Sequence, residues 1–184
     1  MKTIQLLFSM LAVATISTGA FAQEKSVTVG GAPMYPSKNI IENAVNSKDH
    51  TTLVAAIKAA GLVETLSGAG PFTVFAPTNK AFDKLPKGTV ETLVKPENKG
   101  TLTGILTYHV VAGKVSAADL VKKIKADGGK AMIKTVAGGM LTASLKGKKV
   151  ILTDEKGGKA TVTIADVNQS NGVIHVIDTV LMPK

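Results

Sequence analysis

The hydrophobic period of this chain changes once, near Ala131, and that change sets most of what it can fold into. Before it, apolar residues recur at helical spacing, as in Ile40, Ile41, Ala44 and Val45, and again in Leu53, Val54, Ala56 and Ile57. After it, apolar and polar residues alternate. Met132 to Val136, Met140 to Leu145, Val150 to Leu152, Ala160 to Ile164 and Val173 to Val180 read as strands. Gly138-Gly139, Gly147-Lys148, Gly157-Gly158 and Asn171-Gly172 separate them. Phe72 to Ala76, bounded by Gly70-Pro71 and Pro77, is a single early strand that must join the later sheet. The pattern predicts an α+β domain, with helices mainly in the N-terminal half and strands mainly in the C-terminal half.

Local signals sharpen this outline. A helix is expected over Thr52 to Ala60, capped by Asp49 or Thr51 and ended by Gly61. Thr78 or Asn79 caps a short helix carrying Ala81, Phe82 and Leu85. Val90 to Val94 and Leu102 to Tyr108 continue the helical pattern. Ser116, with Asp119 three residues on, is a capping box. Asn171-Gly172 between apolar runs is a hairpin signal. Residues 23–36, with Gly30-Gly31, Pro33 and Pro36, read as an extended arm.

The front end reads as an address. Lys2, the apolar run Leu6 to Ala14 and the small-x-small site Ala20-Phe21-Ala22 make Met1 to Ala22 a cleavable export signal. A secreted or periplasmic product follows, with the main domain over residues 37–184. The chain has no Cys, so neither a lipid anchor at the cleavage site nor a disulfide is available. The net charge is +9, and all 22 basic residues are Lys. Nucleic acid is not the expected partner, because base and phosphate recognition favours Arg and stacking aromatics, and aromatics are 4% of the chain. No later segment is apolar for long enough to span a bilayer.

Catalytic signatures are scarce. His50, His109 and His175 do not fall into a metal-binding spacing, and no nucleophile elbow or phosphate loop is present. Asp154-Glu155 lacks the ligand count of a calcium loop. Neither metal nor cofactor is expected. His109 and His175 sit in apolar contexts and read first as hydrogen-bonded structural groups. A hydrolase built on either is the weakest alternative. Asp166 and Asp178, embedded among apolar residues, should accept backbone N–H bonds or lie at a sheet edge.

Three segments then stand out together. They are Gly70 to Phe82, Leu106 to Gly113 with Tyr108-His109 at its centre, and Ser170 to Pro183. In order and spacing they resemble the first box, the Tyr-His motif and the second box of the fasciclin domain, over nearly the whole mature chain. The resemblance implies a wedge of β-sheet packed with several helices. Thr73, Phe75, Pro77, Thr78, Asn79 and Phe82 would form its structural motif with Asn171, Gly172, His175 and Asp178. It also implies a non-catalytic adhesion or binding role, as in fasciclin, periostin and related matrix proteins, and the chain resembles the secreted single-domain bacterial members. In animal members an Asp followed by an aliphatic residue before the second box is linked to integrin binding. Asp166-Val167 takes that place here, with Val for the usual Ile and Ala165 for Pro. Asp166, Val167, Tyr108 and His109 are thus the candidate binding residues, although an integrin is not the expected partner. The expected function is adhesion to a cell-surface or extracellular protein or polysaccharide, by a monomer. A carrier holding a small apolar ligand between helices and sheet is the alternative.

Overall fold

The computed structural model describes residues 25–184. The expected leader, Met1 to Ala22, and its cleavage site lie outside the described residues. Strands β1 (Val27–Val29) and β2 (Ala32–Met34) form a hairpin. Helices α1 (Ile40–Ala44), α2 (Thr51–Ala60) and α3 (Val63–Ser67) precede strand β3 (Phe72–Pro77). Helices α4 (Asn79–Phe82), α5 (Thr89–Leu93) and α6 (Lys99–Tyr108) lead to strand β4 (Val110–Ala112) and helix α7 (Ala117–Ala126). Strands β5 (Lys130–Lys134), β6 (Met140–Lys146), β7 (Lys149–Thr153), β8 (Lys159–Gln169) and β9 (Gly172–Ile177) complete the fold. The α+β class read from the periodicity is the class observed.

Strands β3 to β9 make one seven-stranded sheet, ordered β4-β3-β9-β8-β7-β6-β5. Only β3 and β9 run parallel in it; the other neighbours are antiparallel. This pair is the heart of the molecule, and its residues from Thr73 to Pro77 and from Gly172 to Ile177 are buried. Strands buried on both faces read as continuous apolar runs, which is why Val173 to Ile177 alternates so weakly. On one face, Val74, Ala76, Ile174 and Val176 pack against the early helices through Leu53, Ile57, Leu102 and Ile105. On the other, Phe75 and Ile177 join Leu120 and Ile124 of α7 and the inward residues of β5 to β8. The early strand thus divides two apolar cores.

The helix ends show how local and distant groups share the capping. Ser116 accepts a hydrogen bond from the Asp119 amide while the Asp119 carboxylate takes the Ser116 amide, the capping box expected for α7. Loss of such a cap typically costs about 1 kcal/mol. Ser116→Ala is therefore expected to lower the urea midpoint by an amount equivalent to about 1 kcal/mol. Gly61 ends α2 in a left-handed conformation. The start of α2, however, is capped by neither Asp49 nor Thr51. Asn79, from the other side of β3, accepts from the Thr52 amide at 3.0 Å and donates to the Lys48 carbonyl at 2.8 Å.

Three further expectations are corrected. The region 23–36, read as an extended arm, contains the β1–β2 hairpin, with Val29 and Met34 buried in the first core. Pro33 fits because a two-stranded hairpin leaves outward N–H positions that a proline can occupy. Strand β8 runs to Gln169 instead of stopping at Ile164, because two irregularities in its pairing with β9 absorb extra residues. Finally, the β8–β9 turn is Ser170-Asn171, since Gln169 already pairs with Gly172. Gly172 is needed for another reason: a β-carbon there would overlap the carbonyl oxygen of Phe72 on the parallel neighbour.

Candidate functional site

The β8 irregularities produce the one non-glycine residue with a left-handed backbone among the described residues, Asp166 at φ 57°. Such a conformation is uncommon outside glycine, with Asp and Asn the most tolerant side chains. Asp166 is held from two directions. Its carboxylate accepts from the Ala117 amide at 2.8 Å, meeting one of the donors left unpaired at the start of α7. Its own amide donates to Nδ1 of His175 at 3.3 Å.

His175 is consequently a strut. Its Nε2–H donates to the Val115 carbonyl at 2.9 Å, and its ring stacks on Phe75 at 5.7 Å between centroids. Thr73 on β3 completes the clamp, donating to the Gly113 carbonyl and accepting from the Val115 amide. The segment between β4 and α7 is therefore pinned by Thr73, His175 and Asp166 together. Burial holds the His175 pKa below its ordinary value, against the pull of the Val115 carbonyl and the Asp166 charge.

Beside Asp166 lies a hollow of about 310 Å³, lined by Lys25, Val27, Met34, Pro36, Asp166 and Asn168. Sequence reasoning missed this lining because it missed the hairpin. The signal was present: Gly30-Gly31 between Val27-Thr28-Val29 and Ala32-Pro33-Met34 is a hairpin pattern.

The four candidate binding residues separate. Asp166 is half-exposed, whereas Tyr108 and Val167 are wholly buried and His109 is 3% exposed. Val167 faces the first core instead of a partner. Tyr108 donates to the Met140 carbonyl at 2.9 Å and accepts from the Glu155 amide at 3.2 Å. Its ring abuts Gly139, where a β-carbon would come within 2.7 Å of it. Burial pushes the phenol pKa up, and the Glu155 and Asp154 charges add to this. His109 Nδ1–H donates to the Ile105 carbonyl at 2.8 Å, and Nε2 accepts from the Leu181 amide at 3.0 Å. Both ring nitrogens are used, and burial lowers the pKa to about 4. A neutral imidazole with no nitrogen to spare can neither take a proton from a substrate nor give one.

The remaining motif residues make their contacts within the fold. Thr78 caps α4, Phe82 enters the first core and Pro77 ends β3. Asp178 accepts from the Thr161 amide at 2.8 Å. Burial raises its pKa, but the Thr161 and Thr179 hydrogen bonds and the Lys84 ammonium outweigh this and leave it lowered. Asp154 accepts from the amides of Lys156, Gly158 and Met182, fixing the β7–β8 turn to the C-terminal segment. Among the described residues no group of three or more acidic, His or Cys side chains could hold a metal.

Comparison with known proteins agrees with this architecture. The family model described as the fasciclin domain matches residues 48–183. The chain is 51% identical over 160 residues to Protein sll1483 of Synechocystis, covering 87% of this chain and 82% of that one. It is 33% identical over 190 residues to the cell surface glycolipoprotein MPB83 of Mycobacterium bovis, covering 92% and 79%. The solved domain pair from the insect cell adhesion molecule Fasciclin I superposes with a TM-score of 0.71 at 18% identity, over 87% of this chain and 58% of that one. The family match begins after α1, yet α1 and the hairpin share the same core. With the two boxes at the central strands and Tyr108-His109 locking α6 to the sheet, this chain belongs to the fasciclin-domain family.

Proposed function

We propose that the protein is an exported, non-catalytic binding module that recognises a cell-surface or extracellular protein or polysaccharide. The observation that carries this reading is Asp166. A half-buried carboxylate in a left-handed conformation is held at the edge of a hollow, while His109 and His175 have both ring nitrogens engaged within the fold. Backbone strain of this kind concentrates at functional positions. Family membership supports a binding role, since relatives include a cell surface glycolipoprotein and a cell adhesion molecule. No helix among the described residues is long and apolar enough to cross a membrane.

The carrier reading finds no support in the first core. The space bounded by Met34, His50, Leu53, Ile57 and Ile174 amounts to about 10 Å³. That is about the room one water needs, far below what a lipid would fill.

Asp166→Asn separates charge from architecture. Asn tolerates the left-handed conformation and keeps an oxygen for the Ala117 amide. The variant should melt like the wild type but bind an envelope or culture-medium fraction roughly tenfold more weakly, the cost of losing one charged contact. Pull-down with residues 23–184 checks this. Wild-type binding that survives the substitution unchanged would remove Asp166 from the interface, and no wild-type binding at all would overturn the module reading.

A further inference from the structure

The outer face of strands β5 to β8 carries a second pattern. Residues pointing into the second core from these strands are apolar, and those between them face solvent. The registers place the outward residues in two cross-strand rows. One reads Lys130, Ser144, Ile151, Thr161. The next reads Met132, Thr142, Thr153, Lys159. Lys146 and Lys149 pair across the end of the β6–β7 hairpin beside them. Most of these residues line a shallow hollow of about 640 Å³.

Three properties of this face coincide. Its two rows carry only positive charge: neither contains an acid, Asp178 at the Thr161 end is engaged by the Thr161 amide and Lys84, and Glu155 beyond Thr153 accepts from the Met140 amide. Its interior is a set of hydroxyls, from Thr142, Ser144, Thr153 and Thr161, which both donate and accept. Ile151 and Met132, the latter 52% exposed, supply small apolar spots between them. Hydroxyls, small apolar platforms and dispersed cations match a chain of sugar rings bearing carboxylates. Lysines act as separated point charges and not as bidentate clamps, which suits a repeating polyanion that can bind in several registers. The rows hold neither Arg nor aromatics, as a nucleic-acid surface would. They also lack the broad apolar face with which a peripheral protein enters a membrane.

We infer that the outer face of β5 to β8 binds an acidic, uronate-type polysaccharide through Lys130, Lys146, Lys149 and Lys159 with the threonine and serine hydroxyls between them. The inference rests on the binding-module reading and gives it a partner class and a surface distinct from Asp166. Weak single contacts repeated along a polymer then add up through multivalency.

The test uses residues 23–184 and immobilised alginate, with neutral dextran and phosphatidylglycerol vesicles as comparisons. The triple variant Lys130→Gln/Lys146→Gln/Lys159→Gln is set against Lys58→Gln/Lys87→Gln/Lys95→Gln, which removes equal charge from the helical side. Thermal melts of both triples establish that each is folded. Alginate binding should fall with salt, be absent on dextran, and drop roughly tenfold or more in the sheet triple while changing less than about twofold in the helical triple. Equal loss in both triples would overturn the assignment in favour of net charge alone. Binding to vesicles as tight as to alginate would overturn it in favour of a lipid surface. If the wild type ignores alginate but still captures envelope material, the polysaccharide face is wrong and the module reading stands. If it captures neither, both fall.

Discussion

Asn171→Ala is expected to destabilise the folded chain by about 3–5 kcal/mol, the sum of several buried backbone groups stripped of their partners. The side chain of this residue lies beneath the β8–β9 turn and reaches two helices. Its Oδ1 accepts from the Ile40 amide at 3.0 Å, at the start of α1. Its Nδ2 donates at 2.8 Å to the carbonyls of Leu66 and Gly68, where α3 ends. Its own carbonyl takes the Phe72 amide at the entry to β3. Ala preserves that last bond and abolishes the other three. Because Asn171 is 7% exposed, water is poorly placed to replace them. Urea unfolding followed by far-UV circular dichroism measures the effect. Asn171→Asp should fare no better, since it keeps the acceptor, loses both donors and buries a charge. A shift below about 1 kcal/mol in the Ala variant would mean that the turn is held by its backbone alone.

Mild acid should unfold the protein more readily well before its carboxylates titrate. His109 has an ordinary value near 6.5 when unfolded and about 4 when folded. The unfolded chain therefore binds the extra proton first as pH falls, and stability rises with pH across that window. The contribution is complete above about pH 6.5, declines progressively to about pH 4 and is spent below it. At about 1.4 kcal/mol per pH unit, His109 alone is worth about 3 kcal/mol over the window. His50 and His175, lowered chiefly by burial, act in the same direction. Asp178, also lowered, loses its contribution only under more acidic conditions. Urea midpoints measured between pH 8 and pH 4 should fall steadily. His109→Gln should start about 1–3 kcal/mol less stable at pH 8 and show a flatter decline. A parallel decline in wild type and variant would show that His109 is not the group responsible.

Much of the fold was legible because its signals are local. The capping box at Ser116 and Asp119, the stop at Gly61 and the alternation in β5 to β7 each lie within a few neighbouring residues. What escaped depends on distance along the chain. Asn79 caps a helix 27 positions earlier, and Asn171 holds an amide 131 positions earlier. No window of sequence contains both partners. The candidate site divides in the same way. Tyr108-His109 was visible as a motif, but which of its atoms met which backbone groups was not. Val167 was grouped with Asp166 as a contact residue because the family resemblance pairs the Asp with the aliphatic residue after it, and a motif does not show which of two neighbours faces out. The pairing irregularities in β8 settle that question: Val167 turns into the core and Asp166 stays at the surface.

The parallel pairing of β3 with β9 carries a consequence for how the molecule comes into being. An inner strand of the sheet, β9, comes last in chain order among the described strands, and it forms a wall of both cores. Until Gly172–Ile177 is available, β3 has only the short β4 beside it, and neither apolar cluster can close. Pairing between such distant segments is slow because the intervening chain must first be gathered in. A ribosome-bound chain therefore cannot finish folding before Gly172–Ile177 has emerged. Both apolar clusters are held open until then. The position of one strand thus defers the closing of both cores until Gly172–Ile177 has been made, when the completed sheet can lock.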